Sequence, residues 1–479
     1  MFEFDLTLPE RGSRSLIRSL HRQLKAAILS GRLGPAHRLP SARRFAEQFG
    51  LSRNSATTIY ELLQAEGLVE ARHGAGYFVV AHLPGERPGR DDAVPPPAFA
   101  HLTSTPEPGP SVRSRSLYDF QLGIPESPQG RFLETWRSLS ARALRGITRE
   151  RLHYGPPEGE ADLRAAIAAH VSAARAVVCG ADDIVVTNGA QQAFDLIART
   201  LVTPGETTVA VENPGYQPMA RLFRAAGARI VPVPVDAEGL RVDLLPSEAR
   251  IVCVTPAHQF PLGGILPLER RHALMRFAYE NGAVVVEDDY DGEFRFDRRP
   301  LDALQMLDKT GSVFFVGTFS KTLFPGLRLG YAITPPWARD RLVRLKQDCD
   351  WHSPLPAQHT LAAFIREGHM GRHVRRMRDL YAERRTLIET RLRGPLSSWL
   401  ELVPGSAGLH VSALLRSPRD DLALTADLRR SGLGCEALGA YATAPGAPPG
   451  LAFGYGAIGL ERIAAGLDLL QRRLQADPQ

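Results

Sequence analysis

The chain has 479 residues, 44% of them hydrophobic and 23% charged, with a formal net charge of +6. This composition suits a globular protein with a substantial core and excludes collagenous, coiled-coil and wholly disordered chains. No apolar run reaches the roughly 18 residues that cross a bilayer, and the opening MFEFDLTLPE has acids where a signal peptide needs bases, so a cytoplasmic protein is expected.

Residues 1–80 carry 11 basic and 7 acidic side chains, so +4 of the +6 lies in the first sixth of the chain. Leu16, Leu20, Leu24, Ala27 and Ile28 recur at helical spacing, which predicts a helix over Leu16–Leu29 that ends at Ser30-Gly31. Ser41 is placed to cap a second helix, Ala42–Phe49, stopped by Gly50; Ser52 can cap a third, from Arg53 to about Ala65. Helix, short turn, helix is helix-turn-helix spacing, and polar residues at the start of the second of the pair are those that reach base edges in a major groove. From Leu68 to Val80 the chain reads as two strands about Gly74-Ala75-Gly76, which would form a wing. A nucleotide loop would need a third glycine and a following helix, and neither is present.

The run RQLKAAILSGRLGPAHRLPSARRFAEQFGLSRNSATTIYELLQAEGLVEARHGAGYFV resembles the winged helix-turn-helix domain of the GntR family over about residues 14–80. That resemblance implies double-stranded DNA as a partner. It places Arg43, Arg53, Asn54 and Ser55 at the DNA, with His73 and Gly74 on the wing. Ala81 to Ser116 then holds eight prolines and three glycines, a composition that cannot bury a core and that reads as a linker. The expected organisation is a DNA-binding domain at 1–80, a linker at 81–116 and a body at 117–479.

In the body, apolar runs at Ile184–Thr187, Thr208–Val211, Arg229–Val233, Ile251–Thr255, Ala283–Glu287, Ser312–Gly317 and Gly330–Thr334 alternate with amphipathic stretches such as Gln191–Thr200 and Leu268–Asn281. Strand–helix alternation with near-continuous apolar strands predicts an α/β fold, a mainly parallel sheet covered by helices on both faces. Cys179, Cys253, Cys349 and Cys435 lack CxxC spacing and read as buried small hydrophobes in a reducing compartment.

Three segments carry chemistry. Thr187-Asn188-Gly189-Ala190-Gln191 ends a strand and opens a helix, whose free N–H groups can cradle a phosphate. Glu287-Asp288-Asp289-Tyr290-Asp291 ends another; a carboxylate there can keep a pyridine nitrogen protonated. Read instead as a calcium loop it fails, since Arg298 stands where the twelfth position needs a carboxylate. Finally, Lys321 follows a buried strand in Gly317-Thr318-Phe319-Ser320-Lys321. It is one of only four lysines beside 54 arginines, and imine formation is chemistry arginine cannot do. His369 and His373 have zinc-like spacing but no HExxH glutamate or third ligand, so no metal is expected.

Together these segments resemble a fold-type I aminotransferase dependent on pyridoxal 5'-phosphate (PLP), from about Tyr118 to the C-terminus, with a small C-terminal α/β subdomain. The resemblance implies PLP held as a Schiff base on Lys321, its ring nitrogen at Asp288, its ring hydroxyl at Tyr290 and its ring face under Tyr216. Ala190, Gln191, Thr318, Ser320 and Arg328 would bind the phosphate. Tyr154, in Tyr154-Gly155-Pro156-Pro157-Glu158-Gly159, would reach the phosphate of a partner subunit, which implies a homodimer. Two departures stand out. Where the family has Asn as a ring-oxygen ligand, strict register gives Phe260, leaving Gln259 or His258 as substitutes. The C-terminal strand that often offers an Arg to a substrate carboxylate reads Gly450-Leu451-Ala452-Phe453-Gly454.

A GntR-like head, a Pro-rich linker and an aminotransferase-like body in this order resemble the MocR subfamily of bacterial regulators. The resemblance implies a transcriptional regulator that senses an amine, an amino acid or PLP. The alternative is a working aminotransferase with an accessory DNA-binding domain.

Overall fold

The structure, a computed structural model, describes residue 6 and residues 16–72, 75–81, 116–149, 152–296 and 302–476. His73, Gly74 and nearly all of the Pro-rich stretch lie outside these described residues. Contact density divides the chain into two units, Met1–Arg113 and Ser114–Gln479.

Three helices open the first unit: α1 (Leu16–Leu29), α2 (Ala42–Phe49) and α3 (Arg53–Ala65). Hydroxyl groups set two of their starts, since Ser41 Oγ accepts the Arg44 N–H at 3.2 Å and Ser52 Oγ the Ser55 N–H at 3.0 Å. Gly50 ends α2 at φ +66°, a left-handed conformation that glycine adopts without strain. The helices close on Leu20, Leu24, Phe45, Ile59 and Tyr60, with the Phe45 and Tyr60 rings 5.3 Å apart. Two strands, β1 (Val69–Arg72) and β2 (Gly76–Val79), then pair antiparallel. Residues 36–39, which carry no strand pattern, add a third layer to this wing: Ala36 and Leu39 donate to the Val79 and Tyr77 carbonyls, and Val79 donates back to His37.

The second unit begins with β3 (Tyr118–Asp119), α4 (Arg131–Arg145) and α5 (Ala161–Arg175). The large sheet is threaded from β4 (Ile184–Thr187), α6 (Ala190–Leu201), β5 (Thr208–Asn213), α7 (Gln217–Ala225), β6 (Arg229–Asp236), β7 (Gly239–Leu240), β8 (Ala249–Val254), α8 (Leu268–Asn281), β9 (Val284–Asp289), β10 (Val313–Thr318) and β11 (Gly330–Ile333). Its order is β4-β11-β10-β9-β8-β5-β6-β7, parallel except for β11 and the edge hairpin β7. Successive strand residues serve opposite faces: Val252 and Val285 pack under α8, whereas Cys253 and Val286 pack beneath α6 and α7. Helices α9 (Pro336–Asp350), α10 (Leu355–Arg366) and α11 (His369–Arg393) follow. The C-terminal part comprises β12 (Leu400–Leu402), β13 (His410–Leu415), α12 (Asp421–Arg430), β14 (Leu433–Gly434), β15 (Glu436–Ala437), β16 (Gly450–Gly454) and α13 (Leu460–Ala476). There β12-β13-β16-β15 form a second, antiparallel sheet, and β14 pairs with β3.

Strand β9 runs two residues beyond the apolar run, to Asp289. Its carboxylates stay in the ladder, with Asp288 opposite Val316 and Asp289 opposite Gly317, because Arg175 makes a two-pronged ion pair with Asp289 at 2.7 and 3.0 Å. The cysteine reading needs a correction. Cys253 and Cys435 are buried, but Cys349 is exposed, because the last turn of α9 points it outward beside Arg199. Among the described residues no helix is long and apolar enough to cross a membrane.

Replacing Ser52 with Ala removes one capping bond and should weaken the head by about 1 kcal/mol. Hydrogen exchange on the whole chain would show faster exchange of the first-turn α3 amides, with α6 unchanged.

Candidate cofactor site and DNA-reading surface

Because β4, β5, β8, β9 and β10 are parallel, their C-terminal ends share one edge of the sheet, and the loops that follow them bring the chemistry together. Asp288 ends up 4% exposed, and its Oδ1 has no hydrogen-bond partner among the described residues. Burial, and after it the charges of Asp289 and Asp291, push this carboxyl well above its ordinary range, while Lys321 opposes the shift. Lys321 is in turn shifted down from the usual lysine value, chiefly by burial, although Asp291 and Asp288 pull the other way. The result is an amine poised towards its neutral, nucleophilic form.

Gly123, outside every motif read from the sequence, makes room for that amine. Its φ is +66°, and a Cβ there would stand 2.8 Å from Lys321 Nζ. A second close approach lies at Gly189, φ +79°, where a Cβ would come 3.0 Å from an Arg328 nitrogen. Arg328 donates to the Asn188 carbonyl at 3.1 Å beside the start of α6, whose N-terminus has no side-chain cap. Thr318, the last residue of β10, and Ser320, in the turn after it, lie buried and are joined by a Ser320 N–H to Thr318 Oγ1 bond of 3.2 Å. This rim offers N–H groups, hydroxyls and a guanidinium to an anion.

A partly buried network fixes the rim from behind. Asp350 Oδ2 accepts from Asn188 Nδ2 at 2.6 Å and Gln192 Nε2 at 2.7 Å, and its Oδ1 accepts from Lys346 Nζ at 2.7 Å. Lys346, fully buried, therefore has a structural role that its place in the sequence does not disclose. Tyr216 receives the Gln191 amide on its hydroxyl at 2.8 Å and meets Phe260 edge-on at 5.7 Å. Gln259 is occupied elsewhere: its amide N–H groups bond the Pro214 and Phe260 carbonyls at 3.0 and 2.6 Å, and its oxygen accepts from Leu262 N. His258 instead lies 2.9 Å from the Tyr290 hydroxyl. Glu212, buried near Asp288, accepts from Thr255 Oγ1 at 2.6 Å, and burial raises its carboxyl to about 7.

Lys321, Asp288, Tyr290, Tyr216, Ala190, Gln191, Thr318, Ser320 and Arg328 thus all stand at this edge, on strand ends, at the start of α6 or in the loops between. Tyr154 does not join them within one chain: 74% exposed, it stacks on the half-exposed Trp351 with ring centroids 4.2 Å apart. On the first unit, Arg43, Arg53 and Asn54 are exposed, and Ser55 is half-buried at the α3 cap. Among the described residues Arg43 pairs with Glu47 of its own helix at 3.0 Å. On the wing the Arg72 guanidinium lies 4.6 Å from the Phe78 ring centroid and is ion-paired with Glu70 at 2.6 Å.

Residues 119–436 match the aminotransferase class I and II family, and residues 16–79 match the bacterial regulatory proteins of the gntR family. The chain is 37% identical to the probable rhizopine catabolism regulatory protein MocR of Rhizobium meliloti, over 84% of this chain and 82% of that protein. It is 31% identical to the pyridoxine biosynthesis transcriptional regulator PdxR of Corynebacterium glutamicum, over 92% of each. Among solved structures, the α-aminoadipate aminotransferase LysN of Thermus thermophilus superposes with a TM-score of 0.68 at 29% identity, covering 75% of this chain and 92% of that one.

The raised Glu212 carboxyl sets a sign for stability against pH. The folded state holds this proton up to about 7 and the unfolded state only to about 4.5, so Glu212 lowers stability as pH rises between those values, with the loss complete above 7. Replacement by Gln should remove that share of the pH dependence. Urea midpoints at pH 5 and 8 should therefore differ less in Glu212→Gln than in the parent.

Proposed function

This chain belongs to the family that joins a gntR-type DNA-binding domain to a class I and II aminotransferase domain, and on that premise we propose a cytoplasmic, PLP-dependent transcriptional regulator. Its head binds operator DNA, and its body senses an amine, an amino acid or PLP. The observation that carries this reading is the presence, on one chain, of a gntR-type reading head and a lysine–carboxylate–tyrosine site at a sheet edge. The organisation follows the same lines: a DNA-binding domain at 1–80, a linker at 81–116 and a sensing body at 117–479.

The residues fit PLP. The unpartnered Asp288 oxygen suits a protonated ring nitrogen, and the uncapped α6 N-terminus with Ala190, Gln191, Thr318, Ser320 and Arg328 suits a phosphate. Gly123 leaves the Lys321 amine clear to hold the aldehyde carbon. Tyr216 covers the ring, and Tyr290 serves its oxygen. When bound, PLP supplies an aldehyde open to primary amines and an electron-withdrawing ring. The protein's own part is to ease the loss of the lysine's proton by burial, pair the ring nitrogen with an acid and hold the phosphate. Phe260, wedged edge-on between Tyr216, Tyr290 and Tyr441, excludes water from the same space.

Sensing requires two arrangements that bind the effector with different affinity. We infer a homodimer in which Tyr154 serves the neighbour's phosphate, since the exposed Tyr154–Trp351 pair offers a large aromatic surface to a partner. Light scattering should give twice 52.4 kDa; a monomer would count against the arrangement.

Incubation with PLP should give a visible absorption band that Lys321→Ala loses. Amines should then perturb the band without amino acid accumulating from a keto acid; many turnovers would make this an aminotransferase instead. In gel shifts on the protein's own upstream DNA, Arg43→Ala and Arg53→Ala should each weaken binding about tenfold and flatten the salt slope by about one.

A further inference from the structure

Behind Tyr290 lies a buried group of polar side chains that the cofactor reading leaves unused. His258 Nδ1 stands 3.2 Å from both carboxylate oxygens of Asp291 and 2.9 Å from the Tyr290 hydroxyl. His258 and Asp291 are 2% and 1% exposed. His410 packs on His258 with ring centroids 4.5 Å apart. Its Nε2 faces the Pro261 carbonyl at 2.9 Å, which fixes the proton there and leaves Nδ1 bare. Burial, then the neighbouring His258, hold His410 well below the ordinary histidine value, so it brings no charge to the group.

One nitrogen therefore faces three oxygens, two of Asp291 and one of Tyr290, and it has only one hydrogen-bonding direction to divide between them. A carboxylate this deep must be matched by donors. Among the described residues Asp291 accepts the Leu409 N–H at 3.0 Å and faces His258 Nδ1, and its charge also acts on the Lys321 amine. If Nδ1 carries a proton for Asp291, it cannot accept the proton of Tyr290. The phenol oxygen is then an acceptor towards His258, and its own hydrogen must point to another acceptor.

We propose that His258 and Asp291 are positioning residues for Tyr290: the Asp291-held Nδ1–H of His258 turns the Tyr290 hydroxyl proton towards the ring oxygen of the bound cofactor. The pair takes over the orienting task that a ring-oxygen Asn would perform, and Phe260 takes that residue's place in register. The claim about the cofactor rests on the PLP reading above. The claim about the His258 proton does not. The titratable groups acting on Tyr290 are Asp291, Asp288, Glu212 and Tyr455, and those facing His258 are Asp291, Tyr290 and His410.

Two measurements on the full-length protein test this. First, the tautomer of His258 in ligand-free protein is read from 15N-histidine NMR, with the signal assigned by its loss in His258→Asn. A protonated Nδ1 is expected; a bare Nδ1 with the proton on Nε2 overturns the proposal whether or not PLP binds. Second, PLP-loaded protein is titrated by its visible absorption. A donor to the ring oxygen favours its ionised form, so His258→Phe should raise the midpoint by about one pH unit, the scale of one charge-assisted hydrogen bond. Tyr290→Phe should do the same, and His258→Asn, whose amide nitrogen can replace Nδ1, should titrate close to the parent. A His258→Phe midpoint equal to the parent's, with Tyr290→Phe shifted, would refute it. Absence of any band lost on Lys321→Ala would sink the PLP reading instead, and the tautomer measurement would then decide the His258 claim alone. Should His258→Phe not fold, the tautomer and the Asn variant still decide.

Discussion

A buried carboxyl group at the end of a parallel strand, one of its oxygens without a hydrogen-bond partner among the described residues, is the constraint around which the body is arranged. Asp288 reaches that position because β9 continues through three consecutive acids, each handled differently. Glu287 is satisfied by the Leu304 and Gln305 N–H groups at 2.8 and 2.9 Å, and Asp289 by Arg175. Of these three acids, only Asp288 keeps an oxygen with no hydrogen-bond partner among the described residues, and the Lys321 charge opposes the effect of its burial. Leaving a carboxyl in that state is costly unless a ligand completes it. Asp288 Oδ1 and Glu212 Oε1 both lie buried without a hydrogen-bond partner among the described residues, beside a lysine whose proton burial makes easier to lose.

The surrounding structure holds Asp288 and Lys321 still. Gly123 and Gly189 bring backbone close to Lys321 and Arg328, where any side chain would intrude. Behind the start of α6, the fully buried Lys346 and the partly buried Asp350 tie Asn188 and Gln192 into one network, so that the turn between β4 and α6 is set from α9. A rim fixed in advance loses little entropy when an anion arrives. In a regulator the same rigidity is useful for a different reason, because a ligand shifts a conformational balance only through contacts that differ between two defined states.

Much of this was legible in the sequence because it is local. Ser41, Gly50 and Ser52 mark helix ends through bonds that span three or four residues, and α1, α2, β4 and α8 have the bounds that periodicity predicts. The Lys321, Asp288 and Tyr290 segments announce themselves by residue type at strand ends. What failed to show was non-local. The wing's third layer at residues 36–39 has no alternating pattern, since its order comes from bonds to β2 rather than from its own apolar face. Gln259 carried the right chemistry for a ring ligand, but backbone carbonyls claim its amide, and His258 takes the place beside Tyr290.

The sequence by itself determined the order of the parts: a basic head with its caps, a proline-rich stretch that cannot bury a core, and an alternating α/β body with one conspicuous lysine. Periodicity and capping act over a few residues, so one dimension suffices to read them. Only the tertiary structure decided which charges are paired. Arg175 lies 114 residues from Asp289, and His258 lies 33 from Asp291, yet these separations become hydrogen bonds. Gly123, far from every motif, becomes the residue that gives Lys321 its space. Burial and its compensation depend on which strand lies next to which, and that neighbourhood exists only once the sheet has assembled.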